Sequence, residues 1–152
     1  MPVNSRRKGL SAEQAAARYF VAAGCPDARR SVAAGWRNGA TSSPDRGDID
    51  GVPGIGIQVK NLAKPLVGKA LADVWVETCA QAGGRRPLLL EKRAGAADVG
   101  RWYAWLSSGF YLELLTGRRQ LVMYDHLVRV ELGSIIGDLR IWIRTAQPID
   151  TR

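Results

Sequence analysis

A chain of 152 residues is long enough to bury a core and short enough to form one domain. Hydrophobic residues make up 46% and charged residues 24%, a globular balance that excludes an intrinsically disordered chain. With 22 Lys and Arg against 14 Asp and Glu, the net charge is +8 and the pI about 10.1, which points to a polyanionic partner, most often nucleic acid.

The first nine residues contain no apolar h-region, and no stretch reaches 18 apolar residues. A cytoplasmic protein with no membrane contact is therefore expected. Arg6, Arg7 and Lys8 are either phosphate-contacting residues or a solvated tail. Ser11-Ala12-Glu13-Gln14 has the capping-box pattern, which predicts a helix with Ser11 as N-cap and Glu13 in its first turn. Ala12, Ala15, Ala16, Tyr19, Phe20 and Ala23 follow at helical spacing, and Gly24 and Pro26 end the run. Residues 29–33 predict a first strand. Residues 35–46 predict an exposed Gly/Ser-rich loop, with Trp36 placed either to stack on a base beside Arg37 or to fold back on the core.

Residues 47–52 and 55–60 are each of strand length and are joined by Pro53-Gly54, so they predict a hairpin. A second helix over 69–82 carries Leu71, Val74, Trp75 and Cys79 as its apolar stripe. Cys25 and Cys79 lack metal-ligand spacing and are expected to be reduced, buried thiols. His126 is the only histidine, too few for a zinc site. Residues 87–93 and 101–106 predict two further strands. Ser107 or Ser108 caps a short helix that Gly117 closes. Beyond it, 120–124, 127–132 and 139–144 look like strands, with one helical turn in 133–138. Trp102, Trp105 and Trp142 belong either to the core or to a dimer surface. The order of elements is that of an α/β domain with a mixed sheet flanked by helices.

The hairpin carries the chemistry. Side chains alternate faces along a strand, so Asp48 and Asp50 share one face of the first strand, Gln58 and Lys60 share one face of the second, and the four can fall on a single face of the hairpin. Same-face neighbours lie roughly 6–7 Å apart and paired strands about 4.8 Å apart, so the four polar groups can meet around one cation. A solvated hairpin face is the ordinary explanation of such a pattern. Lys60, two residues past Gln58 at the end of an Ile/Val-rich strand, argues instead for a site.

A helical Glu13, then Asp48 in Gly47-Asp48-Ile49, then Gln58-Val59-Lys60-Asn61 resembles the PD-(D/E)xK nuclease pattern. Together with Arg7-Lys8-Gly9, Arg30-Ser31, Glu91-Lys92-Arg93, Asp98 to Tyr103, Phe110 and Leu114-Leu115, the chain is similar to the archaeal-type Holliday junction resolvases and their relatives in actinobacteria and their phages. The resemblance covers residues 5–116. It implies a restriction-endonuclease-like core; the C-terminal extension, residues 117–152, matches nothing in the family and is expected, from the chain itself, to extend the same domain and offer a dimer surface. The resemblance further implies Mg²⁺-dependent hydrolysis, with Mn²⁺ as a substitute, by a homodimer on branched double-stranded DNA.

Carried over by position, Glu13 and Asp48 are metal ligands and Lys60 is the catalytic lysine. Gln58 stands where the family usually has Glu, and the Val59 carbonyl and Asp50 are further candidate ligands. An amide oxygen is neutral, so Gln58→Glu is expected to lower the metal concentration required. Arg6, Arg7, Lys8, Arg29, Arg30, Ser31, Trp36 and Arg37 are the candidate DNA contacts. A less selective structure-dependent or nicking nuclease with the same site is one competing expectation; a nucleic-acid-binding dimer that has lost catalysis is the other, and Gln58 is the residue that favours it.

Overall fold

The computed structural model describes residues 5–31, 47–119 and 126–146. Its elements run α1 (Ser5–Ala22), β1 (Arg29–Arg30), β2 (Ile49–Asp50), β3 (Ile55–Lys60), α2 (Gly68–Ala82), β4 (Arg86–Glu91), a 3₁₀ turn at Val99–Arg101, β5 (Tyr103–Ser107), α3 (Ser108–Thr116), β6 (Leu127–Glu131) and α4 (Leu132–Ala146). The six strands form one sheet in sequence order. β3 and β4 are parallel, joined through α2, and every other neighbouring pair is antiparallel. The fold is thus α/β with a mixed sheet flanked by helices. Among the described residues no helix is long and apolar enough to cross a membrane.

Alternation along β3 divides the molecule. Ile55, Ile57 and Val59 face the main core together with Leu88, Leu90, Ala104 and Leu106. Ala12, Ala16 and Phe20 of α1, Phe110 and Leu114 of α3, and Leu132, Ile135 and Leu139 of α4 close over this face. The opposite face of β3 meets α2. Gly56 makes that approach possible, since a Cβ there would lie 2.6 Å from the Ala82 Cα.

Several expectations are corrected. The first helix starts at Ser5, so Ser11 is an exposed residue inside it rather than its N-cap. The local capping signal yields to tertiary contact: Asn61, just past β3, donates its Nδ2 to the Lys8 carbonyl at 3.1 Å and anchors the added turns. Arg6, Arg7 and Lys8 are therefore exposed residues of a helix, not a tail. On α2 the buried residues are Thr78 and Ala82, while Leu71, Val74 and Trp75 are half-buried. Cys79 is exposed, one helical step past the contact face, and only Cys25 is a buried thiol.

The described residues of the C-terminal segment extend the same domain. β6 extends the sheet beyond β5. Residues 139–144 are helical, not a strand. The Leu139/Ile141/Ile143 alternation misleads because the true period joins Leu132, Ile135 and Leu139, and it leaves Ile141 62% exposed. Trp102 is core, 1% exposed, with its Nε1 donating to the Ala96 carbonyl at 2.9 Å. Trp142 packs edge-on against Phe110 with ring centroids 5.2 Å apart. Ser107 caps α3 by accepting from the Phe110 N–H, and Gly117 ends it in the left-handed conformation. Residues 35–46 and 120–124 lie outside the described residues, Trp36 and Arg37 among them.

Candidate active site

Asp48 is placed by its backbone. Gly47 holds φ +88°, and a Cβ there would come within 2.5 Å of the Ile57 carbonyl, so only glycine fits. The Asp48 N–H donates to that same Ile57 carbonyl at 2.7 Å, although Ile57 is the register partner of Ile49. Asp48 thereby leaves the simple alternation. Its Oδ2 reaches along β3 and accepts from the Val59 N–H at 2.7 Å. The Asp48 carbonyl is fixed in turn by the Ser31 N–H at 2.8 Å. Ser31 thus serves Asp48 through its backbone, and Val59 contributes its amide N–H.

The carboxylate of Asp48 consequently lies at the edge of β3, within electrostatic reach of Glu13 from α1. Burial pushes the Glu13 carboxyl above its ordinary value, and the Asp48 charge pushes it further. Arg30 and Lys60 act in the opposite sense. The Arg30 Nε stands 3.3 Å from Glu13 Oε2, so Arg30 is turned toward the site. Arg29 is exposed and is the register partner of Asp50. Because β2 and β3 are antiparallel, Asp50 lies nearer the hairpin turn than Asp48 does and farther from Lys60.

Gln58 and Lys60 face α2. Gln58 is 2% exposed, and its Oε1 accepts from the Thr78 hydroxyl. Its Nε2 donates to Glu77 Oε1 at 2.9 Å. That carboxylate also stands 3.9 Å from Lys60 Nζ and accepts from Gln81 Nε2 at 3.3 Å. Glu77 and Thr78 are absent from the sequence-based candidates. The signal for them was a buried amide on β3, which needs both an acceptor and a donor, and a following helix carrying Glu77, Thr78 and Gln81 at neighbouring positions.

Glu91 is Lys60's register partner on β4 and is 4% exposed, but its oxygens hold the Leu66 N–H at 3.3 Å and Trp105 Nε1 at 3.1 Å. Lys92 lies over the Trp102 ring, and Arg93 lies over Tyr103 and pairs with Glu131 at 3.0 Å. The late Glu-Lys-Arg and Trp-Tyr blocks therefore tie β4, β5 and β6 together.

Among the described residues no three Asp, Glu, His or Cys side chains stand together as a cation site. Two carboxylates nevertheless fit Mg²⁺, which takes one or two from a protein and keeps several waters. The Glu13 carboxyl is raised by burial first and by the neighbouring Asp48 charge second, and a divalent ion between the two carboxylates would offset both.

The raised carboxyl gives a pH prediction. A carboxyl raised in the folded state binds more protons there than in the unfolded chain. Its contribution favours folding at low pH and is lost as pH rises above about 4.5 through the raised value. Glu13→Gln should therefore melt about 1–3 °C above the parent at neutral pH, and the gap should close near pH 4. Equal melting temperatures across this range would show that Glu13 is not strained by its surroundings.

No protein-family model, curated protein or solved structure matches the chain.

Proposed function

We propose that the chain is a metal-dependent endonuclease acting in the cytoplasm as a homodimer on branched double-stranded DNA, with a restriction-endonuclease-like core. The observation that carries this reading is the meeting of Asp48, Glu13 and Lys60 at the C-terminal end of β3, each delivered by a different device: a glycine-dependent kink, a helix and a strand end. The +8 charge and the exposed Arg6, Arg7 and Lys8 of α1, with Arg29 farther along the sheet, suit a phosphate backbone. The choice of four-way junctions rests on the resemblance to the junction resolvases.

In this reading Asp48, oriented by the Val59 N–H, and Glu13 would hold Mg²⁺ or Mn²⁺. When bound, such an ion supplies Lewis acidity and a water acidic enough to attack a phosphodiester. Lys60 carries the charge that develops on the phosphate oxygens. Gln58 joins β3 to α2, and through it Glu77 is held beside Lys60, so Glu77 is a positioning residue for that ammonium.

A DNA-binding dimer without catalysis is the second reading. One observation favours it: the amide of Gln58, at the position where the resemblance calls for a carboxylate, is engaged at both ends by α2. A synthetic four-way junction, with duplex and flap controls, incubated with Mg²⁺, Mn²⁺ or EDTA, separates the two. Incision that EDTA abolishes is expected. A gel shift with no incision in either metal selects the binder.

A further inference from the structure

The opposite end of the sheet holds a second feature. There, about 17 Å from Lys60 along the six residues of β3, lies a half-open cavity of about 510 Å³. Arg85, Arg86 and Arg119 line it, with Glu113 as its one acid among the described residues and Trp142 beside it. Glu113 is 6% exposed and has both oxygens engaged: Arg86 Nη2 donates to Oε2 at 2.6 Å, and Trp142 Nε1 to Oε1 at 2.8 Å.

Arg85 is held by the end of α2, its Nε on the Ala82 carbonyl at 3.1 Å and its Nη2 on the Gln81 carbonyl at 3.2 Å. Arg119 is exposed and makes no hydrogen bond or ion pair with the described residues. Three arginines thus line one cavity, and among the described residues its one carboxylate is already paired. Guanidinium forks match phosphate oxygens in pairs. The volume lies in the range of roughly 300–1,000 Å³ that holds whole small ligands rather than a single ion. Gly84 leaves the rim open, since a Cβ there meets nothing within 4 Å.

We infer that this cavity is a binding site for neighbouring phosphate groups, presented either by a free oligophosphate ligand or by a nucleic-acid backbone. The inference stands apart from the nuclease reading, because it uses none of the same residues and requires no metal.

Isothermal titration of the full chain with sodium pyrophosphate tests it. Saturable binding is expected. Arg119→Ala should weaken it about tenfold, the loss expected for one charge-assisted contact. Gly84→Leu, at a position with no left-handed backbone, should weaken it at least as much by filling the cavity. Lys64→Ala, at an exposed residue just past β3 at the other end of the sheet, should change it less than about twofold, since it alters only the general field. Both cavity variants change exposed residues, and thermal melts establish that they fold. No saturable binding, or equal affinity in all three variants, overturns the site in favour of diffuse surface charge. Where pyrophosphate affinity does fall, a gel shift with a short DNA duplex assigns the source. Duplex affinity that falls in parallel identifies nucleic-acid backbone, and unchanged duplex affinity identifies a free oligophosphate.

Discussion

Lys60→Ala should lower the rate of DNA incision by about 10²–10³-fold, the range seen when a single group that stabilises transition-state charge is removed. DNA affinity should stay within about twofold and the salt dependence of binding should hardly change, because one of 22 cations is lost from a surface that works by releasing counterions. The structure makes this a clean substitution. The Lys60 side chain is 27% exposed and its partner Glu77 49% exposed, so no buried charge is orphaned. Glu77 keeps its bonds to Gln58 and Gln81. Single-turnover incision of a four-way junction in Mg²⁺ and gel shifts in EDTA measure the two quantities separately. Incision at the parent's rate would remove Lys60 from the site. An equal loss of rate and affinity would make it a DNA contact only.

The hairpin was legible because its signals are local and consistent. Pro53-Gly54 marks the turn, Ile55, Ile57 and Val59 mark the buried face, and Lys60 marks the strand end. Alternation failed at Asp48, where the Gly47 backbone breaks the period and sends the carboxylate toward Val59 and the α1 side. No period-2 pattern encodes that. Gln58 was visible as a departure from the nuclease pattern, but its meaning was not, since its partners come from α2, about twenty residues downstream. The start of α1 and the nature of α4 were hidden for a related reason. Asn61 anchors the first, and packing of Leu132, Ile135 and Leu139 decides the second. Both are tertiary contacts that override a local cap or an apparent alternation.

Gln58→Glu has a different consequence once Glu77 is in place. Read from the sequence, the change restores a missing ligand and should ease the metal requirement. In the structure it sets a carboxylate against Glu77 Oε1 at the distance where Gln58 Nε2 now donates, 2.9 Å, at a position 2% exposed. Two carboxylates so close cannot both ionise, so the pair would keep one proton well above the ordinary range and titrate as a unit. The variant should therefore lose about 1–3 kcal/mol of stability at neutral pH, the usual cost of leaving a buried polar group without its partner, since Glu77 is half exposed and screened by solvent. Because the shared proton is bound more tightly in the folded state, much of that loss should return as pH falls below the ordinary carboxylate range. Gln58→Glu with Glu77→Gln exchanges the donor and the acceptor across the same contact. It should recover most of the stability and place the carboxylate on β3 beside Lys60. Denaturant melts of the parent, both single variants and the double variant give the coupling energy between the two positions. Additive effects would mean that the Gln58–Glu77 contact does not govern this end of α2. If the double variant is folded and needs less Mg²⁺ than the parent for half-maximal incision, the carboxylate's position on β3 sets metal affinity. If it is folded and incises at the parent's rate with the parent's metal requirement, Gln58 acts through Glu77 and Lys60 rather than as a ligand.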